Sequence, residues 1–199
     1  LYVHIPFYKS RCIYCGFYST TRLEQRQKYV DALCKEMKLR RGYRSEGEKE
    51  LRSSDNTEAT NNLSTCQLAN LPTKTNTIYL GGGTPSQLSI AQLEQLFIYI
   101  NKVYGIGEDA EVTMECNPDD ITDDYVQAIS RLPINRVSMG VQTFDDNRLR
   151  FLHRRHSSEN VYNAVERLRQ AGINNISIDL MYGFPNQTVD EWQLDIEKA

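Results

Sequence analysis

The chain predicts an α/β fold in which short strands alternate with helices around a parallel sheet. Three observations carry this. β-branched or aromatic runs recur along the chain, helical patterns with readable caps lie between them, and the strand runs are near-continuously apolar, as in a parallel sheet covered on both faces. With 199 residues, 40% of them apolar and 25% charged, the chain can build one large domain with a sizeable core. Repeated units of this kind fit a (β/α) barrel or an open doubly wound sheet, and periodicity does not choose between them.

The elements follow in order. Leu1–Ile5 reads as the first strand. Residues 24–41 form a helix with Val30, Leu33, Cys34 and Met37 on its apolar face. Residues 42–75 break the pattern, being rich in Ser, Asn, Thr, Glu and Lys, and too polar to offset the cost of ordering. They read as a flexible insertion within one domain spanning 1–199. As a helix-to-strand connection, the insertion would lie on the barrel face opposite the chemistry. Thr77–Leu80 is the second strand. Ser89 with Gln92 then makes a capping box before Leu93, Leu96, Phe97 and Ile100. Glu111–Glu115 is the third strand, and Ile121 and Val126 staple across a Thr122 cap. Arg136–Val141 is the fourth. Ser158 precedes a helix carrying Val161, Val165 and Leu168, and Gly172 stops it. Ile176–Met181 is the fifth strand, followed by a capping box at Thr188 and Glu191. Leu1 lies inside a strand pattern and Ala199 inside a helix pattern, so the chain reads as a fragment of a longer protein.

Several function classes are disfavoured. The net charge is −3 and no Lys/Arg block sits beside aromatics, so nucleic acid is not an expected partner. The run Leu96–Ile100 is far too short to span a membrane, and the amino terminus has no signal-peptide pattern. Five cysteines, an odd number without secretory context, suit a reducing, cytoplasmic setting rather than a disulfide framework.

Four features carry chemistry. The first strand runs into a loop holding Cys12-x2-Cys15, which taken alone is half a zinc site or a redox pair. Cys34 reads as core, and Cys66 and Cys116 lack the spacing to join the pair. Gly81-Gly-Gly-Thr-Pro-Ser86 leaves a strand and enters a capped helix. Its plain reading is a tight turn, but its strand-end position favours a ligand, to which bare backbone could present amides and carbonyls. Glu115, Gln142 and Asp179 end three successive strands, and buried carboxylates there need partners or a ligand. Arg154 lies in His153-Arg-Arg-His156, which by itself reads as a solvated helix end, and the two histidines have no evident metal role.

Taken together, Leu1–Phe17, Tyr79–Ser86, Glu115–Pro118, Asn135–Asp146 and Asp179–Thr188 resemble the oxygen-independent coproporphyrinogen III oxidase family of radical S-adenosylmethionine (SAM) proteins. The resemblance implies a partial (β/α)6 TIM-like radical SAM barrel, truncated here after the fifth strand. It implies a [4Fe–4S] cluster held by Cys-x3-Cys-x2-Cys, of which Cys12 and Cys15 are the second and third members and Tyr8 stands at the first. It implies SAM bound by Tyr2, Tyr14, Gly82, Gly83, Thr84, Glu115, Gln142, Arg154 and Asp179. The decarboxylating oxidase carries a further Cys two residues after the third ligand. Phe17 occupies that position here, which resembles the haem chaperone branch. That branch implies haem or porphyrin as ligand, haem-accepting proteins as partners, and an electron donor such as a flavodoxin or ferredoxin. Tyr8 is expected to compromise the cluster, since clusters prefer thiolates, and it leaves turnover open. A natural loss, an engineered replacement or a single-base misreading would each put Tyr there. The alternatives are the oxidase itself and a catalytically inactive barrel that binds haem or a partner.

Overall fold

The computed structural model describes residues 1–41 and 74–199. Five strands form one sheet: β1 (Tyr2–Ile5), β2 (Thr75–Gly82), β3 (Ile106–Cys116), β4 (Arg136–Gln142) and β5 (Asn175–Leu180). They pair in the order β1-β2-β3-β4-β5, every neighbour parallel. A doubly wound sheet reverses its strand order at a switch point. This sheet has no reversal, so the open wall is that of a partial barrel. The helices are α1 (Arg26–Arg40), α2 (Ile90–Tyr104), α3 (Asp123–Ile129), α4 (Asp146–Phe151), α5 (Ser158–Gln170) and α6 (Val189–Lys198).

The core lies on one face of the sheet. Val3, Ile5, Ile78, Leu80, Val112, Met114, Val137 and Met139 are buried together with Val30, Cys34 and Met37 of α1, Leu93 and Leu96 of α2, Val126 and Ile129 of α3, and Val161 and Leu168 of α5. The alternate positions on the strands, among them Tyr2, Tyr79, Glu115, Ser138 and Gly140, are polar, aromatic or bare. The expectation of a sheet covered on both faces is therefore corrected, because successive side chains point to opposite faces and the second face here lines an open cleft.

The capping boxes at Ser89/Gln92 and Thr188/Glu191 form as expected, and Thr122 caps α3 by accepting from the Tyr125 amide. The α5 cap is Ser157 rather than Ser158: Ser157 N–H donates to the Asn160 side chain at 2.8 Å and closes the capping box, whereas Ser158 N–H donates to Asp146 Oδ1 at 2.8 Å. Gly172, at φ +87°, ends α5; its own N–H donates to Arg169 C=O and that of Ile173 to Leu168 C=O. The first helix begins with a 3-10 turn at Leu23–Gln25. Thr75 belongs to β2, and the remainder of the proposed insertion, Cys66 included, falls almost wholly outside the described residues. One tie went unforeseen: Asp195 of α6, 3% exposed, accepts from Thr143 Oγ1 at 2.7 Å and from Phe144 N–H at 2.8 Å, pinning α6 to the exit of β4.

Candidate functional site

A cleft of about 310 Å³ opens across the sheet, chiefly at the carboxyl ends of the strands. Tyr2, Tyr8, Cys12, Tyr14, Cys15, Gly82, Gly83, Thr84, Glu115, Gln142, Arg154 and Asp179 all line it, with Phe17. Every site residue named from the sequence is thus brought to one place. Sequence reasoning missed Cys116, Asn117, Ser138 and Gly140 on the same wall. Ser138 and Gly140 share the face of Gln142 by the two-residue period of β4, a signal that could have found them.

The glycine loop works differently from the expectation. Gly82 N–H donates to Glu115 Oε2 at 3.0 Å, Gly83 N–H to Ile5 C=O at 2.7 Å and Thr84 N–H to Phe7 C=O at 3.0 Å. These three amides are engaged within the chain rather than presented to a ligand. Bareness is needed for internal approach: a Cβ on Gly83 would lie 2.6 Å from Ile5 O, and one on Gly82, at φ +110°, 2.2 Å from the His4 ring. The loop therefore locks β1 to β2 and offers the cleft a flat backbone wall.

Glu115 is satisfied on both oxygens, by Gly82 N–H and by the Tyr79 hydroxyl at 2.8 Å. Burial, then this carboxylate, pushes the Tyr79 phenol up to about 12. Tyr79 stacks on Tyr2 with ring centroids 6.0 Å apart, and Tyr2 OH meets His4 Nδ1 at 3.1 Å. Gln142 sits at φ +73°, a left-handed conformation costing on the order of 1 kcal/mol for a non-glycine residue. Its amide lies against Gly140, where a Cβ would come within 2.7 Å of Nε2. Asp179 is exposed, lines the cleft and makes no ion pair or hydrogen bond among the described residues, so its carboxylate is free to meet a ligand.

Arg154 is no solvated helix end. Its guanidinium donates to Asn117 Oδ1 at 3.0 Å, to Gly140 C=O, and to Cys12 Sγ at 3.5 Å. Its Nε is buried without a partner among the described residues. His156 is also buried, with Nε2 3.1 Å from Val141 O; burial first, then Arg154, lowers it to about 4.

In the cysteine loop, Tyr8 OH lies 3.1 Å from Cys15 Sγ and 3.4 Å from Gly82 O. Burial first, then the Cys15 contact and the two thiols, holds the Tyr8 phenol well above its ordinary value. Burial likewise pushes Tyr14 up to about 12, with Arg154 opposing. Cys34 is core, and Cys116 is a buried thiol held well above its ordinary value by desolvation. No group of three His, Cys, Asp or Glu side chains among the described residues is arranged to hold a metal ion.

The family profile described as the radical SAM superfamily matches residues 2–199. The chain is 35% identical over 198 residues to the heme chaperone HemW of Lactococcus lactis, covering 99% of this chain and 44% of that protein. It is 34% identical over 200 residues to heme chaperone HemW of Bacillus subtilis, covering 100% and 46%. Oxygen-independent coproporphyrinogen III oxidase of Synechocystis is 27% identical over 203 residues, covering 100% and 38%. The solved coproporphyrinogen III oxidase of Escherichia coli superposes with a TM-score of 0.78 at 27% identity, over 99% of this chain and 40% of that one. The chain thus spans less than half the length of these relatives.

Proposed function

The chain belongs to the radical SAM superfamily, and from that premise we propose that its cleft binds SAM in a barrel of haem-chaperone type, with a cysteine loop that Tyr8 leaves one thiolate short. Family membership implies a [4Fe–4S] cluster and SAM. One observation carries the SAM reading: the residues that the resemblance assigns to SAM, drawn from all five strands and their exits, line a single cleft of about 310 Å³. The donor set suits the ligand. Asp179 offers an unpaired carboxylate for an amino or hydroxyl group, Arg154 a partly spent guanidinium for a carboxylate, and Gly82–Thr84 a flat wall for a ring.

The cluster fits less well. Two thiols and a phenol face the loop, and the phenol is held toward its protonated, non-ligating form by burial and by the thiols beside it. On this reading Cys12 and Cys15 remain available to iron and Tyr8 does not.

Phe17 and the 30–35% identity to proteins named heme chaperone HemW, against 27–28% to the oxidases, support the chaperone branch. Haem or porphyrin, haem-accepting proteins and an electron donor are the proposed partners, and the cytoplasm the proposed setting. No helix among the described residues is long and apolar enough to cross a membrane. Tyr8 itself favours a second reading, a barrel that binds haem or a partner without turnover.

Calorimetric titration with SAM tests the cleft. Arg154→Ala and Asp179→Asn should each weaken binding by about one to two decades, the size of a lost charge-assisted contact. No binding by the parent chain, or affinity unchanged in both variants, would contradict the assignment.

A further inference from the structure

We infer that Arg155 is a positioning residue that sets Arg154 in the cleft by tying three strand exits together. This rests on the reading of the cleft as a SAM site. Arg155 Nη1 pairs with Asp119 Oδ2 at 2.9 Å and Nη2 with Asp120 Oδ1 at 3.1 Å, and all three side chains are largely buried. The other oxygen of Asp120 accepts from Ser86 Oγ at 2.6 Å and from Gln87 Nε2 at 2.7 Å. One guanidinium and two carboxylates therefore join the exits of β2, β3 and β4. Each contact is charge-assisted and shielded from solvent, the setting in which such contacts hold geometry best.

The backbone explains how adjacent arginines divide the work. His153 adopts φ +60°, a left-handed turn. Beyond it Arg154 lines the cleft, Arg155 grips the acidic turn and His156 is buried on Val141 O. Arg154 also leans on the turn that Arg155 holds, since its partner Asn117 precedes Pro118–Asp120 and donates in turn to Thr84 Oγ1 at 3.1 Å. Loss of Arg155 would leave Asp119 and Asp120 facing each other without their cation. The turn carrying Asn117 would then shift, and Arg154 with it.

The test is a double-mutant cycle read by calorimetry on the chain. Arg155→Gln should weaken SAM about tenfold, comparable to one charge-assisted contact. Binding of 5′-methylthioadenosine, which lacks the amino-acid end proposed to meet Arg154, should change by less than about twofold. In the Arg154→Ala background, Arg155→Gln should add almost nothing, because both changes remove the same contact. Arg155→Lys, which keeps the charge but not the two-pronged grip, should bind SAM between the parent and Arg155→Gln, and it carries the cycle if Arg155→Gln does not fold. Additive losses, or equal losses for SAM and methylthioadenosine, would assign Arg155 a general structural role and overturn the inference, as would unchanged SAM affinity. Failure of the parent chain to bind SAM would instead overturn the site itself, and the inference with it.

Discussion

The Tyr8 hydroxyl lies 3.1 Å from the Cys15 sulfur, so the phenol occupies the cysteine loop as a hydrogen-bonding neighbour of a thiol. It also reaches toward Gly82 O at 3.4 Å, which ties the loop to the exit of β2. The loop is thus closed by protein contacts of its own.

Gln142 is expected to trade stability for placement. Its φ of +73° suits glycine. Gln142→Gly should exceed Gln142→Ala in stability by about 1 kcal/mol, since both lose the amide but only alanine keeps the left-handed strain. Both should bind SAM more weakly than the parent. Urea unfolding gives the first comparison and calorimetry the second. An alanine variant as stable as the glycine variant would show that the conformation carries no strain.

His156 should make stability pH-dependent. Burial and the neighbouring Arg154 and Arg155 hold it near 4 in the fold, with Asp146 and the Val141 carbonyl opposing, whereas the unfolded chain titrates near 6.5. The unfolded state therefore binds the extra proton between these values, and stability falls as pH drops from about 6.5 toward 4. The loss approaches roughly 3 kcal/mol in the acid limit. His156→Gln removes this proton uptake. The stability difference between the parent and His156→Gln, measured by urea unfolding at pH 7.5 and pH 5, should shift against the parent at the lower pH. An unchanged difference would contradict a neutral buried imidazole.

The chaperone branch makes a chemical prediction. Tyr8→Cys placed in a chain extended to the length of its relatives should bind haem and should not convert coproporphyrinogen III to protoporphyrinogen IX. Conversion removes hydrogen and carbon dioxide from two propionates and needs a pocket for an anionic tetrapyrrole. Near the mouth this chain offers Lys9, Arg11 and Arg154, while Arg155 is already spent on Asp119 and Asp120. Arg11 is likewise turned to Ser19. Anaerobic incubation with substrate, SAM and reductant, followed by porphyrin separation, decides the matter. Robust protoporphyrinogen formation would promote the oxidase.

Much of this site was legible because strand ends are legible. Glu115, Gln142 and Asp179 end apolar runs, and a parallel sheet carries such ends to one edge. The Ser89 and Thr188 boxes were readable because a cap and its partner lie three residues apart. Partners distant in sequence were not readable. Nothing local in Gly82 announces that His4 will fill the space of its missing side chain, or that its amide will meet Glu115. Arg155 looked like a solvated charge because Asp119 and Asp120 are brought to it only by the order of the strands. The same holds for Asp195, a charge on a polar helix that the fold buries against Thr143.

The most direct measurement is iron and sulfide per chain after anaerobic reconstitution, for the parent and for Tyr8→Cys side by side. The expected result is poor, substoichiometric loading of the parent and a full brown [4Fe–4S] species in Tyr8→Cys, because three thiolates then face the loop. Equal, near-complete loading of both would contradict the claim that Tyr8 leaves the loop one ligand short.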